Sequence, residues 1–164
     1  MRPILRSLVS AAICLGLSAV VVVPALAQKD PQVGVWKLNV AKSKFSPGPT
    51  PTTATTTIEA AGAGTKVSVD QTLPDGTKRQ YSFTADYDGK DTAIVGNNPD
   101  ADTVARTRVN ASTVQTVSKK AGKVTTTQTS EVSSDGKTRT VTTKGVNAKG
   151  QAVSNVAIYE KTGH

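Results

Sequence analysis

The sequence predicts an all-β domain: one antiparallel up-and-down β-barrel of about ten strands, following an N-terminal signal peptide. Three observations carry the β reading. Thr and Val dominate the chain beyond residue 32, and both are β-branched and suit a pleated surface. Turn residues recur about every ten positions, as in a meander of short strands. No stretch beyond the leader keeps the i, i+3, i+4 apolar spacing of a helix over three turns.

The leader comes first. Arg2 and Arg6 supply a positive start, Leu8 to Val23 carries no charge, Pro24 breaks the run, and Ala25-Leu26-Ala27 places small residues before Gln28. That is the grammar of a secretory signal cut after Ala27. A membrane anchor is the competing reading, but the Ala-Leu-Ala end favours cleavage. Cys14 does not mark a lipoprotein, because Ile13 precedes it and it sits mid-run. The style is bacterial, so the expected destination is the periplasm or the medium.

Removing residues 1–27 leaves 137 of 164, enough for one domain with one core. Arg2 and Arg6 leave with the leader, so 18 basic residues face 12 acidic ones, a net charge of +6. Cys14 leaves too, which excludes a disulfide, a thiol nucleophile and a thiolate metal site. His164 is the only histidine, so the chain alone builds neither a Ser-His-Asp triad nor a histidine metal cluster.

Gln28 to Gln32 is a short polar lead. Strands are then expected near 33–39, 53–60, 65–73, 78–87, 91–95, 103–109, 113–119, 123–133, 138–144 and 152–160. A helical turn fits only Val40 to Phe45. Pro74-Asp75-Gly76, Lys120-Ala121-Gly122, Asp135-Gly136 and their like supply the hairpin turns. Short connections force antiparallel neighbours, and closure removes the exposed edges of a long meander.

Alternation predicts a one-sided core. Tyr81, Phe83, Ala85 and Tyr87 share a face, as do Val67, Val69 and Leu73. In 123–133 and 138–144, threonines occupy both faces. Buried hydroxyls need partners, so either these strands form a thinly packed edge or they line a wet cavity.

The opening Gly34-Val35-Trp36 resembles the Gly-x-Trp start of lipocalins, and the strand count is similar to the fatty-acid-binding-protein branch of that superfamily. The run through Lys37-Leu38-Asn39 and Lys42-Ser43-Lys44-Phe45-Ser46-Pro47-Gly48-Pro49 resembles a group of exported bacterial lipocalin-like (calycin superfamily) proteins. Tyr87-Asp88-Gly89-Lys90-Asp91 and Val156-Ala157-Ile158-Tyr159-Glu160-Lys161 fit the same group. The resemblance spans nearly all of 28–164. It implies a fold and a compartment and no particular activity. It also implies structural roles for Gly34 and Trp36, the tryptophan plugging one barrel end. Lipocalins pack an Arg over that Trp from the end of the barrel; the last strand here has no Arg, and Arg139 is the available substitute.

Arg106 and Arg108 stand at i and i+2 on one strand and point the same way. Inward, they seek a carboxylate or phosphate; outward, Ala105, Thr107 and Val109 lie inside instead. Tyr81, Phe83, Tyr87, Arg106 and Arg108 are the candidate ligand-binding residues. The carboxylates Asp86, Asp88, Asp91, Asp100 and Asp102 read as hairpin chemistry, without calcium-loop spacing. Lys119, Lys120 and Lys123 form a basic tip without aromatics, which argues against nucleic acid. Six aromatics beyond the leader (Trp36, Phe45, Tyr81, Phe83, Tyr87, Tyr159) are too few for the girdles of an outer-membrane barrel.

The expected function is an exported, non-enzymatic binding protein for a small, partly apolar ligand, anionic if the arginines face inward. The alternative is a structural or protein-interaction β module without internal ligand. No catalytic residues, cofactor, metal, nucleic-acid partner or transmembrane segment after cleavage is expected, and the chain should be a monomer.

Overall fold

The computed structural model describes residues 29–163. The leader, its cut before Gln28, and His164 lie outside the described residues.

Eleven strands form one antiparallel sheet. They are β1 (Gly34–Leu38), β2 (Thr53–Ala61), β3 (Gly64–Thr72), β4 (Lys78–Ala85), β5 (Asp88–Ala93), β6 (Val95–Gly96), β7 (Thr103–Arg108), β8 (Thr113–Lys120), β9 (Lys123–Val132), β10 (Thr138–Val146) and β11 (Ala152–Gly163). The order β5-β7-β8-β9-β10-β11-β1-β2-β3-β4-β6 is a meander in two runs. Pairing of β11 with β1 joins the runs, with Trp36 opposite Lys161 and Leu38 opposite Tyr159.

The other seam closes in an unusual way. The two edge strands of the sheet, β5 and β6, are halves of one segment with only Ile94 between them. The first half pairs with β7 and the second with β4, through Tyr81–Gly96 and Ser82–Val95. One strand expected at 91–95 is therefore two, which accounts for the eleventh. The split lets one segment change partners, so the barrel nearly closes and few backbone groups stay at an open edge.

The expected helical turn is a single 3-10 turn at Val40–Lys42, shorter than 40–45. The Asn39 side chain accepts from the Lys42 amide at 3.1 Å, satisfying a donor at the turn's start. Residues after this turn run as a strap across β11: Lys44 bridges Val156, and the Ser154 amide donates to the Ser46 carbonyl at 2.7 Å.

One end of the barrel is plugged. Trp36 is fully buried with Ile58, Val67 and Val132, and its Nε1–H donates to the Gln32 carbonyl at 2.8 Å. Gln32 is itself fully buried; its Nε2 donates to the carbonyls of Ser112 and Ser130 at 2.8 and 3.2 Å. At this end Gly64 allows a close approach. A Cβ there would stand 2.0 Å from the Ala85 carbonyl oxygen and 2.4 Å from Asp86 Cα.

The cation over Trp36 is Lys161 of β11, with Nζ 4.9 Å from the ring centroid. Arg139 does not take this place. It lies on the inner wall, with Tyr159 beneath it at 5.5 Å. Gly34, at φ +144, makes room for the lysine, since a Cβ would meet Lys161 Cε at 2.4 Å. A lysine in place of the expected arginine meets the ring with the same charge.

Candidate ligand-binding cavity

A cavity of about 290 Å³ runs inward from the end opposite Trp36. Its mouth is formed by the strap at Phe45–Pro49, the turn at Asn98–Ala101 and the turn at Asn147. Asp100 ties this rim together. It pairs with Arg79 at 3.6 Å and accepts from the Ala148 amide at 3.2 Å.

On β2, β3 and β4 the lining mixes Ala54, Val67, Val69 and Phe83 with Thr56, Gln71, Arg79 and Tyr81. Strands β8, β9 and β10 present Thr116, Ser118, Thr126, Gln128 and Thr143. Of the threonines that blur alternation on β9 and β10, Thr126 and Thr143 line the cavity. The one-sided faces expected for Tyr81/Phe83 and for Val67/Val69/Leu73 both turn inward.

Two guanidiniums stand deep in the cavity. Arg106 is 2% exposed and Arg139 is 6% exposed. Arg106 donates from Nη1 to Thr65 Oγ1 and lies near the rings of Tyr87 and Phe83, at 5.0 and 5.9 Å. Arg139 donates from Nε to Ser130 Oγ at 2.7 Å, and Ser130 in turn donates to Gln32 Oε1 at 2.9 Å. Among the described residues, Arg106 Nε and Arg139 Nη1 are buried without a hydrogen-bond partner. Neither arginine has a carboxylate partner among the described residues.

Burial pushes both guanidiniums down from their ordinary value, Arg139 to about 10, with the charge of Arg106 adding to its depression. Both stay charged at neutral pH. Burial also pushes the Tyr81 hydroxyl up to about 12, with neighbouring Tyr159 adding to the rise, and burial raises Tyr159 as well. Both phenols are therefore neutral, and Tyr159 lies against Arg139.

The structure divides the arginine pair. Arg106 and Arg108 share an inward side, and the outward placement is ruled out because Val109 is 59% exposed. Only Arg106 reaches the cavity. Arg108 pairs with Asp30 and stacks 4.0 Å from the Tyr87 centroid. Tyr87 donates from its hydroxyl to the same Asp30 carboxylate at 2.6 Å. Burial alone would raise the Asp30 carboxyl, but the Tyr87 hydroxyl, the Gln32 amide and Arg108 together hold it below the usual carboxylate range. Of the candidates, Tyr81, Phe83 and Arg106 line the cavity, while Tyr87 and Arg108 belong to this network at the plugged end.

Arg139, Tyr159, Asp30 and Gln32 were absent from the sequence-derived set. Arg139 carried a signal, because it shares parity on its strand with Val141 and Thr143, which face inward. Asp30 and Gln32 carried none, since a polar lead ahead of the first strand looks like solvent-exposed chain.

No family model matches the sequence, and no curated protein matches it. Among solved structures, the zebrafish ileal bile acid-binding protein complexed with cholic acid is similar at 15% identity and a TM-score of 0.49, covering 80% of this chain and 99% of that one. At that identity and score the likeness says nothing about this chain's ligand.

Proposed function

We propose that the domain is an exported, non-enzymatic carrier or scavenger of a small amphipathic anion in the bacterial cell envelope, related to exported lipocalin-like proteins. The observation that carries the reading is the pair of buried, carboxylate-free guanidiniums at the inner end of an open cavity. A buried cation is costly unless paired, and each of these keeps a nitrogen without a partner. A ligand carboxylate entering between them satisfies both nitrogens and offsets their charge. Tyr81 and Tyr159 stand beside it as neutral donors, and the hydrocarbon of the ligand lies along Val67, Val69 and Phe83.

The cavity volume of about 290 Å³ falls at the lower limit of ligand pockets, about 300–1,000 Å³, which favours a small molecule over a whole membrane lipid. The interaction-module alternative calls for a filled interior, which this barrel lacks. The test is native mass spectrometry of the protein purified from its own host, paired with calorimetric titration of decanoate. An acidic adduct and saturable decanoate binding are expected. Absence of both would overturn the reading.

A further inference from the structure

The register of the sheet places a polar row across the inner wall. Arg106 on β7 is opposite Thr116 on β8, Thr116 is opposite Gln128 on β9, Gln128 is opposite Thr143 on β10, and Thr143 is opposite Asn155 on β11. Directly opposed residues of antiparallel strands share a face, and all five line the cavity. Five successive strands therefore present one polar side chain each, beginning at a guanidinium.

The row is only sparsely satisfied by protein. Gln128 Nε2 donates to Thr143 Oγ1 at 3.2 Å, and Asn155 Oδ1 accepts from the Ser46 amide at 2.9 Å. Among the described residues, the Thr116 hydroxyl, the Gln128 carbonyl oxygen and the Asn155 amide nitrogen have no protein partner. Hydrocarbon on β3 and β4 comes from Val67, Val69 and Phe83, which line the cavity together with the polar Thr56, Gln71, Arg79 and Tyr81.

A plain alkyl chain filling this cavity would strip water from Thr116, Gln128 and Thr143 and return no hydrogen bond. Each group so stripped is left unsatisfied, which weakens binding. A ligand with hydroxyl or carbonyl groups on one edge avoids that loss. We infer that the cavity selects hydroxylated amphipathic acids over plain alkyl acids, with the Thr116–Gln128–Thr143 row reading the ligand's oxygens while its carboxylate sits at Arg106 and Arg139. This rests on the anion-carrier reading and adds the chemistry of the rest of the ligand. With strands about 4.8 Å apart, the three readers lie about 5, 10 and 14 Å along the wall from Arg106. The oxygens they meet therefore stand at mid-chain or beyond, not beside the carboxylate.

The experiment titrates decanoate and hydroxylated decanoates, with the hydroxyl at mid-chain or on the terminal carbon, into the intact protein and into the Thr116→Val/Gln128→Leu/Thr143→Val triple variant. In the natural protein at least one hydroxylated acid should bind about tenfold tighter than decanoate, as one net hydrogen bond supplies. In the triple variant the order should reverse. Because the readout is a ratio within one protein, it stands apart from any general loss of stability, and decanoate binding by the variant shows that it is folded. Equal affinities in the natural protein, or a hydroxyl preference that survives in the variant, would overturn the inference and leave the anion carrier standing. Failure of every acid to bind the natural protein would remove both.

Discussion

Replacing Arg139 with Met separates the demands of folding from those of binding. In the unliganded protein this guanidinium is buried, holds one hydrogen bond to Ser130 Oγ at 2.7 Å, and leaves Nη1 without a partner. Nearby Arg106 adds repulsion. Methionine matches the aliphatic stem and removes the charge. Ser130 keeps its bond to Gln32 Oε1 at 2.9 Å, so the substitution strands no donor there. Exchanging poorly compensated buried charge for hydrocarbon is neutral or stabilising by about 1–3 kcal/mol. For a domain of this size that is a rise in Tm of roughly 3–5 °C per kcal/mol. Binding should move the other way. Truncating one side of a buried charge pair costs about 2 kcal/mol or more, roughly thirtyfold in Kd. Urea unfolding without ligand and calorimetric titration of decanoate measure the two effects on one preparation. A variant clearly less stable than the natural protein, or one that binds decanoate as tightly, would show that Arg139 is a structural cation and refute the reasoning.

The plugged end makes further predictions. The Asp30 carboxyl is held below its unfolded value, so the stability it contributes is fully present above about pH 4 and is lost as pH falls through the lowered folded value. Asp30→Asn should therefore lower stability at pH 7 by about 1–3 kcal/mol and flatten the decline of the urea midpoint between pH 5 and pH 2, roughly the span over which such a carboxylate titrates; an unchanged decline would show that the Arg108–Asp30–Tyr87 network is energetically idle. Gly64→Ala drives a methyl into the Ala85 carbonyl, 2.0 Å from the ideal Cβ, and should cost about 1–3 kcal/mol or more by overpacking. A urea midpoint equal to that of the natural protein would mean that the β3–β4 corner yields freely.

The β architecture was legible in the sequence because its causes are local. β-Branched composition, period-two alternation at Val67/Val69 and Tyr81/Phe83, and Asp-Gly or Ala-Gly turns act over a few residues and do not depend on which strands meet. The structural roles expected of Gly34 and Trp36 came instead from the resemblance of Gly34-Val35-Trp36 to a lipocalin opening. Three features were decided only by the closed sheet. Strand 91–95 divided because barrel closure asks one segment to pair with β7 and then with β4, a demand made by strands distant in sequence. Arg106 and Arg108, alike in parity, took different roles because Asp30, 78 residues from Arg108, reaches only the one nearer the plugged end. Thr116, Gln128 and Thr143 became a polar row because register aligned them across β8, β9 and β10. Alternation says that a side chain shares a face with its neighbours two residues away. Whether that face looks onto packed hydrocarbon, solvent or a cavity depends on what lies opposite, and that is set by how the ring of strands closes.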